Sequence, residues 1–361
     1  MKDFKISNRN IFIILLVVSI LFDTKSNGQQ INVSKEYCSL IGISGEHIFA
    51  KGYLCQDGFY YIAGITNSNT NASNTDSGNH IFITKIIYSS LIGGEKDDDV
   101  TAMKIDKNEN IYLTGVTSSS NFPTTHGAFD ETYNGGKDIF VLKLNLTQHK
   151  LIYSTLIGSK YDETSNAMTV DDNGYVYLAG EVFNGGLPVT PEAYDTSYNG
   201  DLDIFLTKID TSGKRLIYLT YLGGKGYEWP AGIAVDKQGC AYVSGATKSN
   251  DYPTTLGAYN KEFNGGQDIV VTKLSPDGSK LIYSTFVGGK GKDSFGRIAI
   301  NYEGMAFLAG YTQSNDFPVK NSPDSLYKGG SRDNFLTILN AAGSKIENIQ
   351  LILEVVMMKA L

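Results

Sequence analysis

The sequence predicts an all-β protein built as a tandem array of four-stranded sheets, and three observations carry that expectation. Four stretches, YSSLIGG from Tyr88, YSTLIGS from Tyr153, YLTYLGG from Tyr218 and YSTFVGG from Tyr283, recur at a constant interval of 65 residues, the mark of stacked supersecondary units. Within each interval, β-branched and aromatic runs alternate with Gly-, Asn- and Ser-rich turns, which is the pattern of strands. The composition agrees: 39 Gly and 23 Tyr among 361 residues, with only 8 Pro, suit many tight turns between strands.

One period resolves into four strand positions, A to D, best seen at A 232–236, B 241–244, C 269–274 and D 281–287. The A positions read AMKID (102–106), AMTVD (167–171), GIAVD (232–236) and RIAIN (297–301). One face of A is apolar (Met103, Met168, Ile233, Ile298) and the other mostly small or polar (Ala102, Ala167, Gly232, Arg297), because side chains alternate across a strand. A tight face beside an apolar one suits an innermost strand, where sheets converge on an axis. The B positions read YYIAG, IYLTG, VYLAG, AYVSG and AFLAG. Their aromatics Tyr61, Tyr112, Tyr177, Tyr242 and Phe307 are expected to pack between sheets, rather than to form a sugar-stacking platform. A loop of about twenty residues separates B from C. Radial repetition protects strand edges, so a β-propeller is the natural solution.

The N-terminus reads as a secretory signal over 1–28, with a signal anchor as the alternative. Lys2, Lys5 and Arg9 precede a mostly apolar run of 12, Ile11–Phe22, with Ser26 and Gly28 at a plausible cleavage point. Twelve residues fall short of the about 20 that span a bilayer, and no Cys follows to carry a lipid. No transmembrane segment is therefore expected after cleavage. Loss of 1–28 takes the net charge from −7 to −9. That argues against nucleic acid as a partner and is compatible with a cation or a basic partner. Cys38, Cys55 and Cys240 show no zinc-ligand spacing. Cys38 and Cys55 are close enough in sequence to pair, and burial as small apolar groups is the alternative reading.

The repeats resemble a known family. YLGG, IAVDKQG, YVSGATKSNDYPTT, NGGQDIVVTKL and SPDGSKLIYST, in order within 221–285, look like the SBBP-type β-propeller repeat of bacterial secreted proteins, and the resemblance extends over 37–345. It implies a propeller, often on exported or surface proteins. It implies no single activity and no catalytic residues.

Five units are recognisable, with A–B–C sets near 48–86, 102–144, 167–209, 232–274 and 297–339 and a leading D strand near 37–42. The leading D strand and the final A–B–C set are expected either to complete one blade, closing a five-bladed ring, or to belong to a fragment of a larger propeller. The first unit is degraded: it lacks the FPTT element, and Thr84 to Tyr88 spans 4 residues against 11 from Thr272 to Tyr283. After Lys345 the repeat predicts a YST strand, but the chain reads IENIQLILEVVMMKAL. Permitted codons for that tail, read in another frame, spell KYSTYIGGSDDE. Residues 346–361 are therefore expected to be an aberrant tail produced by a frameshift.

The D–A and B–C loops share one end of each sheet, and two recurring sets of acids fall there. Asp98, Glu163, Glu228 and Asp293 follow the Gly-Gly turn, and Asp138, Asp203, Asp268 and Asp333 open position C. One reading has them accept hydrogen bonds from turn N–H groups. The other is a ring of carboxylates facing a cation or a basic partner, calcium being the cation considered, which needs 6–8 oxygens. No other cofactor is expected. Asp106, Asn108 and Asn110 have part of a calcium-loop spacing but lack its Gly and distal Glu. His47, His80, His126 and His149 fit no catalytic motif, and the departures Trp229-Pro230, Lys104 and Arg297 name no site. The expectation is a secreted or cell-surface module that binds protein or carbohydrate through its loop rim without catalysis. An extracellular propeller glycosidase or lyase, or a truncated gene fragment, is the alternative.

Overall fold

The structure is a computed structural model that describes residues 47–54, 60–66, 80–85, 88–145, 147–148, 150–318 and 331–352. These form twenty strands and no helix. Every sheet is four-stranded, in sequence order and antiparallel throughout. The first comprises β1 (His47–Leu54), β2 (Tyr60–Thr66), β3 (His80–Lys85) and β4 (Tyr88–Ile92). The second comprises β5 (Asp98–Ile105), β6 (Asn110–Thr117), β7 (Asp138–Asn145) and β8 (Lys150–Ile157). The third is β9 (Glu163–Val170), β10 (Val176–Val182), β11 (Asp203–Ile209) and β12 (Leu216–Leu222). The fourth is β13 (Glu228–Val235), β14 (Ala241–Thr247), β15 (Asp268–Leu274) and β16 (Leu281–Val287). The fifth is β17 (Asp293–Ile300), β18 (Ala306–Thr312), β19 (Asp333–Leu339) and β20 (Ile346–Ile352).

The innermost strands pack in succession, β1 on β5, β5 on β9, β9 on β13 and β13 on β17. This is the blade arrangement of a propeller. Among the described residues, no packing of that extent joins β17 back to β1. No helix among them is long and apolar enough to cross a membrane.

The core is a series of layers between sheets. Tyr112, Ile139 and Val141 of the second sheet meet Met168, Leu178 and Phe205 of the third. Ile204 and Leu206 meet Ile233, Val243 and Val270 of the fourth, and Ile269 and Val271 meet Leu308 and Phe335 of the fifth. Burying each such side chain contributes about 1.5–3 kcal/mol. Tyr112, Tyr177 and Tyr242 are fully buried, so these three B-position aromatics pack between sheets. Their hydroxyls also donate to Asp106 (3.0 Å), Asp171 (3.2 Å) and Asp236 (3.0 Å) in the A–B turn. Asp106 is further occupied by the N–H groups of Asn108 and Asn110, so the incomplete calcium spacing is an ordinary Asx turn. Lys273 completes the fourth-sheet group, 3.0 Å from Asp236. In the fifth sheet Asn301, Phe307 and Ile338 replace Asp, Tyr and Lys together. There Phe307, Leu336 and Ile338 are only half-buried.

Adjacent blades are also stapled at their outer edges. Gly213, Gly278 and Gly343, all at positive φ, lie so close to Tyr153, Tyr218 and Tyr283 that an added Cβ would fall 2.2–2.3 Å from a ring atom. The carbonyls of these same glycines accept the N–H of Phe129, Tyr194 and Tyr259.

In the first unit β3 and β4 pair from Lys85↔Tyr88 onward despite the shortened link. One expectation changes. The outer position of the fifth sheet is not filled from the N-terminus. It is taken by β20, paired with β19 from Asn334↔Ile352 to Leu339↔Ile346. Ile346 follows Gly343-Ser344-Lys345 as Leu281 follows Gly278-Ser279-Lys280, and ladder hydrogen bonds come from the backbone whatever the side chains. The strand near 37–42, the signal region, Cys38, Cys55 and residues 353–361 lie outside the described residues. Cys240 is buried and free.

Candidate functional site

The acids predicted for the rim stand at strand beginnings. Asp98, Glu163, Glu228 and Asp293 open β5, β9, β13 and β17, and Asp138, Asp203, Asp268 and Asp333 open β7, β11, β15 and β19. The sequence placed the first set in the D–A loop, but strand A begins about four residues earlier than its apolar pattern suggests. All eight are buried, beneath the loops and not on their surface.

Each carboxylate of the first set closes its own turn. Asp98 accepts from the N–H of Gly94 at 2.7 Å, Glu228 from Gly224 at 3.0 Å and Asp293 from Gly289 at 2.7 Å. Hydroxyls at the end of the B strand and just beyond it supply the rest: Thr117 donates to Asp98 at 2.5 Å and Thr247 to Glu228 at 2.6 Å. Ser119 donates to Asp98 at 3.3 Å and Ser314 to Asp293 at 2.8 Å.

The third unit solves the same problem with a different residue. Its turn reads Gly-Ser where the others read Gly-Gly, and Asn184 stands where they carry Ser119, Ser249 and Ser314. Ser159 itself donates its hydroxyl to Glu163. It also accepts the Tyr161 N–H at 3.1 Å, as Ser119, Ser249 and Ser314 accept the N–H of Lys96, Gly226 and Gly291, each at 2.8 Å. A Cβ on Gly224 would lie 2.5 Å from the Ser249 side chain. Glycine in the turn and serine just after the B strand are therefore one exchangeable pair. Ser249→Ala is expected to cost about 1–3 kcal/mol, read by chemical denaturation, because it strips a hydrogen bond from the buried Glu228 carboxylate. A loss below about 0.5 kcal/mol would contradict this pairing.

The second set faces the first across the leading turn glycine. Asp138, Asp203 and Asp268 accept the N–H of Asn134, Asn199 and Asn264 at 2.7–2.8 Å through one oxygen, and the other, Oδ1, has no partner. A Cβ on Gly158, Gly223 or Gly288 would fall 2.3, 2.3 or 2.5 Å from that Oδ1. On Gly223 it would also lie 2.8 Å from Glu228, and on Gly288 3.0 Å from Asp293. Burial pushes Asp203 and Asp268 up to about 7, with Glu228 and Asp293 adding repulsion. Burial likewise raises Asp138 to about 6 and Glu163 to about 7, and it raises Glu228 and Asp293. Two carboxylates buried near one another disfavour double ionisation, which keeps the protonated form of the raised member populated.

What the loops expose differs from unit to unit. Between the fourth-unit B–C loop and the next turn lies an open cavity of about 320 Å³, lined by Tyr259, Asn264, Lys290 and Asp316 among others. Lys290 and Asp316 are 3.8 Å apart. The fourth unit also brings together Tyr227, Trp229 and Lys248, which sequence spacing left unconnected. The signal was there in comparison with the sibling units, which carry Asp97, Asp162 and Lys292 in place of Tyr227. Among the described residues, no group of three or more His, Cys, Asp or Glu is arranged to hold a metal.

Among solved structures, a Dyadobacter fermentans protein of unknown function is 12% identical, with a TM-score of 0.44 over 86% of this chain and 82% of its own. The Pyrococcus horikoshii acylaminoacyl peptidase is 10% identical, with a TM-score of 0.40 over 84% of this chain and 39% of its own. A mutant of the NanB sialidase from Streptococcus pneumoniae is 8% identical, with a TM-score of 0.44 over 85% and 61%. No curated protein gives a sequence match. The SBBP family, described as a β-propeller repeat, matches at two places in the sequence. Its turn, A–B hairpin and B–C entry are the parts built above, and the chain carries SBBP β-propeller repeats at residues 87–123 and 217–253.

Proposed function

We propose that this chain is a secreted or cell-surface β-propeller that acts as a non-catalytic binding or scaffold module through its D–A and B–C loop rim. One observation carries the reading. The eight carboxylates that recur at the rim are buried beneath it, and most are bonded to turn N–H groups. A general acid or base must reach its substrate within hydrogen-bond distance. The exposed groups instead vary between units, as a recognition surface on a constant scaffold does. Export rests on the basic and apolar start of the sequence. Incubation with a panel of polysaccharides and candidate proteins is expected to give retention without turnover. Product formation that disappears when a single rim acid is replaced would overturn the proposal.

A further inference from the structure

From the fourth unit we infer a glycan subsite, formed by Tyr227, Trp229 and Lys248, that takes a pyranose ring bearing a carboxylate; this rests on the binding-module reading above. Trp229 is the only tryptophan in the chain. It lies on β13, the innermost strand of its sheet, with Glu228 and Pro230 turned inward and buried on either side. Tyr227 is 42% exposed and Trp229 is partly exposed. Their rings stack 5.7 Å apart at 10°, a paired aromatic group at the loop-rich end.

The Lys248 ammonium stands 5.2 Å from the Trp229 ring centre and 5.9 Å from that of Tyr227. Lys225 and Lys290 nearby on the rim are paired with Asp251 and Asp316. Among the described residues no carboxylate is paired with Lys248. The Lys248 backbone N–H is fixed to the Tyr227 carbonyl at 2.9 Å, so the two side chains are held as neighbours.

The sibling units show that this group is not required by the fold. Tyr227 corresponds to Asp97, Asp162 and Lys292, Trp229 to Asp99, Thr164 and Ser294, and Lys248 to Ser118, Phe183 and Gln313. Each sibling builds the same strand pairing without the aromatics. The C–H face of a pyranose is apolar and packs on a flat aromatic ring. An unpaired lysine beside that ring meets a carboxylate on the sugar through a charge-assisted hydrogen bond. A neutral sugar would leave the ammonium unused.

The test uses the full chain and affinity electrophoresis in gels containing polygalacturonate, alginate, hyaluronan or dextran. Wild type is expected to be retarded by at least one of the three uronans and not by dextran. The double variant Tyr227→Asp/Trp229→Thr installs the residues of the third unit, so folding is retained, checked by an unchanged melting temperature. It is expected to lose about tenfold or more in affinity. Lys248→Ser is expected to lose affinity and the salt dependence that accompanies it. Retardation by dextran equal to that by uronans, unchanged binding in the double variant, or no retardation by any uronan would overturn the inference. Binding that survives the double variant without cleavage sinks this subsite but leaves the rim module standing. Shortening of the uronan chain sinks the module reading itself.

Discussion

Gly180→Ala is expected to destabilise the protein by about 3 kcal/mol or more, lowering its melting temperature by roughly 6–12 °C. Gly180 sits at the irregularity where β9 and β10 shift register, between Ala179 and Gly180. A Cβ there would lie 1.9 Å from the Thr164 carbonyl oxygen and 2.4 Å from the Phe205 ring. The carbonyl belongs to the ladder and Phe205 is fully buried, so neither can yield without disturbing a sheet or a core layer. Gly115 and Gly245 face Asp99 and Trp229 carbonyls in the same way, at 1.8 and 2.4 Å. The control is Gly257→Ala, at φ +83° with nothing within 4 Å of its added Cβ. It is expected to cost about 1 kcal/mol from backbone conformation alone. Equal losses at the two positions would show that conformation, and not the close strand approach, demands the B-strand glycine.

The melting temperature is expected to fall as pH rises from about 5 to 8. Asp138, Glu163, Asp203 and Asp268 have folded-state pKa values raised to about 6–7 by burial, against ordinary values near 4. A raised carboxylate contributes its full stability below the unfolded pKa, where both states hold the proton. That stability is lost as pH climbs through the folded pKa, where the pair must ionise in place. Asp106, Asp210 and Asp236 act in the opposite sense. Burial works against them, but hydrogen bonds from neighbouring turn groups outweigh it and hold their values below the usual range. Their contribution is present above about pH 4 and lost on acidification. The two sets together place the stability maximum near pH 5. Asp203→Asn should flatten the alkaline limb, matching wild type near pH 5 and exceeding it by about 2 kcal/mol at pH 8. A wild-type melting temperature that climbs steadily from pH 5 to 8 would refute the paired-carboxylate account.

Much of the fold was legible because its signals are periodic. A 65-residue interval, alternating strand faces and Gly-rich turns each recur, and a repeated local preference reads as one architecture. Tyr112, Tyr177 and Tyr242 were placed between sheets on the strength of that repetition, and they are fully buried there. Strand A was started too late, since Glu228-Trp229-Pro230 carries no apolar alternation and still pairs with Thr247, Ala246 and Gly245. The tail was set aside because its side chains break the repeat, yet Ile346–Ile352 supplies an outer strand through backbone pairing, with Ile346 buried in the core.

The sequence by itself determined the repeat length, the all-β class, the four strands of each unit and the recurrence of acids at two positions. Those follow from local chemistry repeated at fixed spacing. Only the tertiary structure decided which way the acids point and what surrounds them. It buries Asp203 and Glu228 on either side of Gly223, and it moves the hydroxyl for Glu163 from the B strand to Ser159. It also sets Tyr227, Trp229 and Lys248 together at the rim. The physical reason is that burial and side-chain contact arise between strands 15–30 residues apart and between successive blades. Spacing along the chain counts residues but does not report which side of a loop faces water.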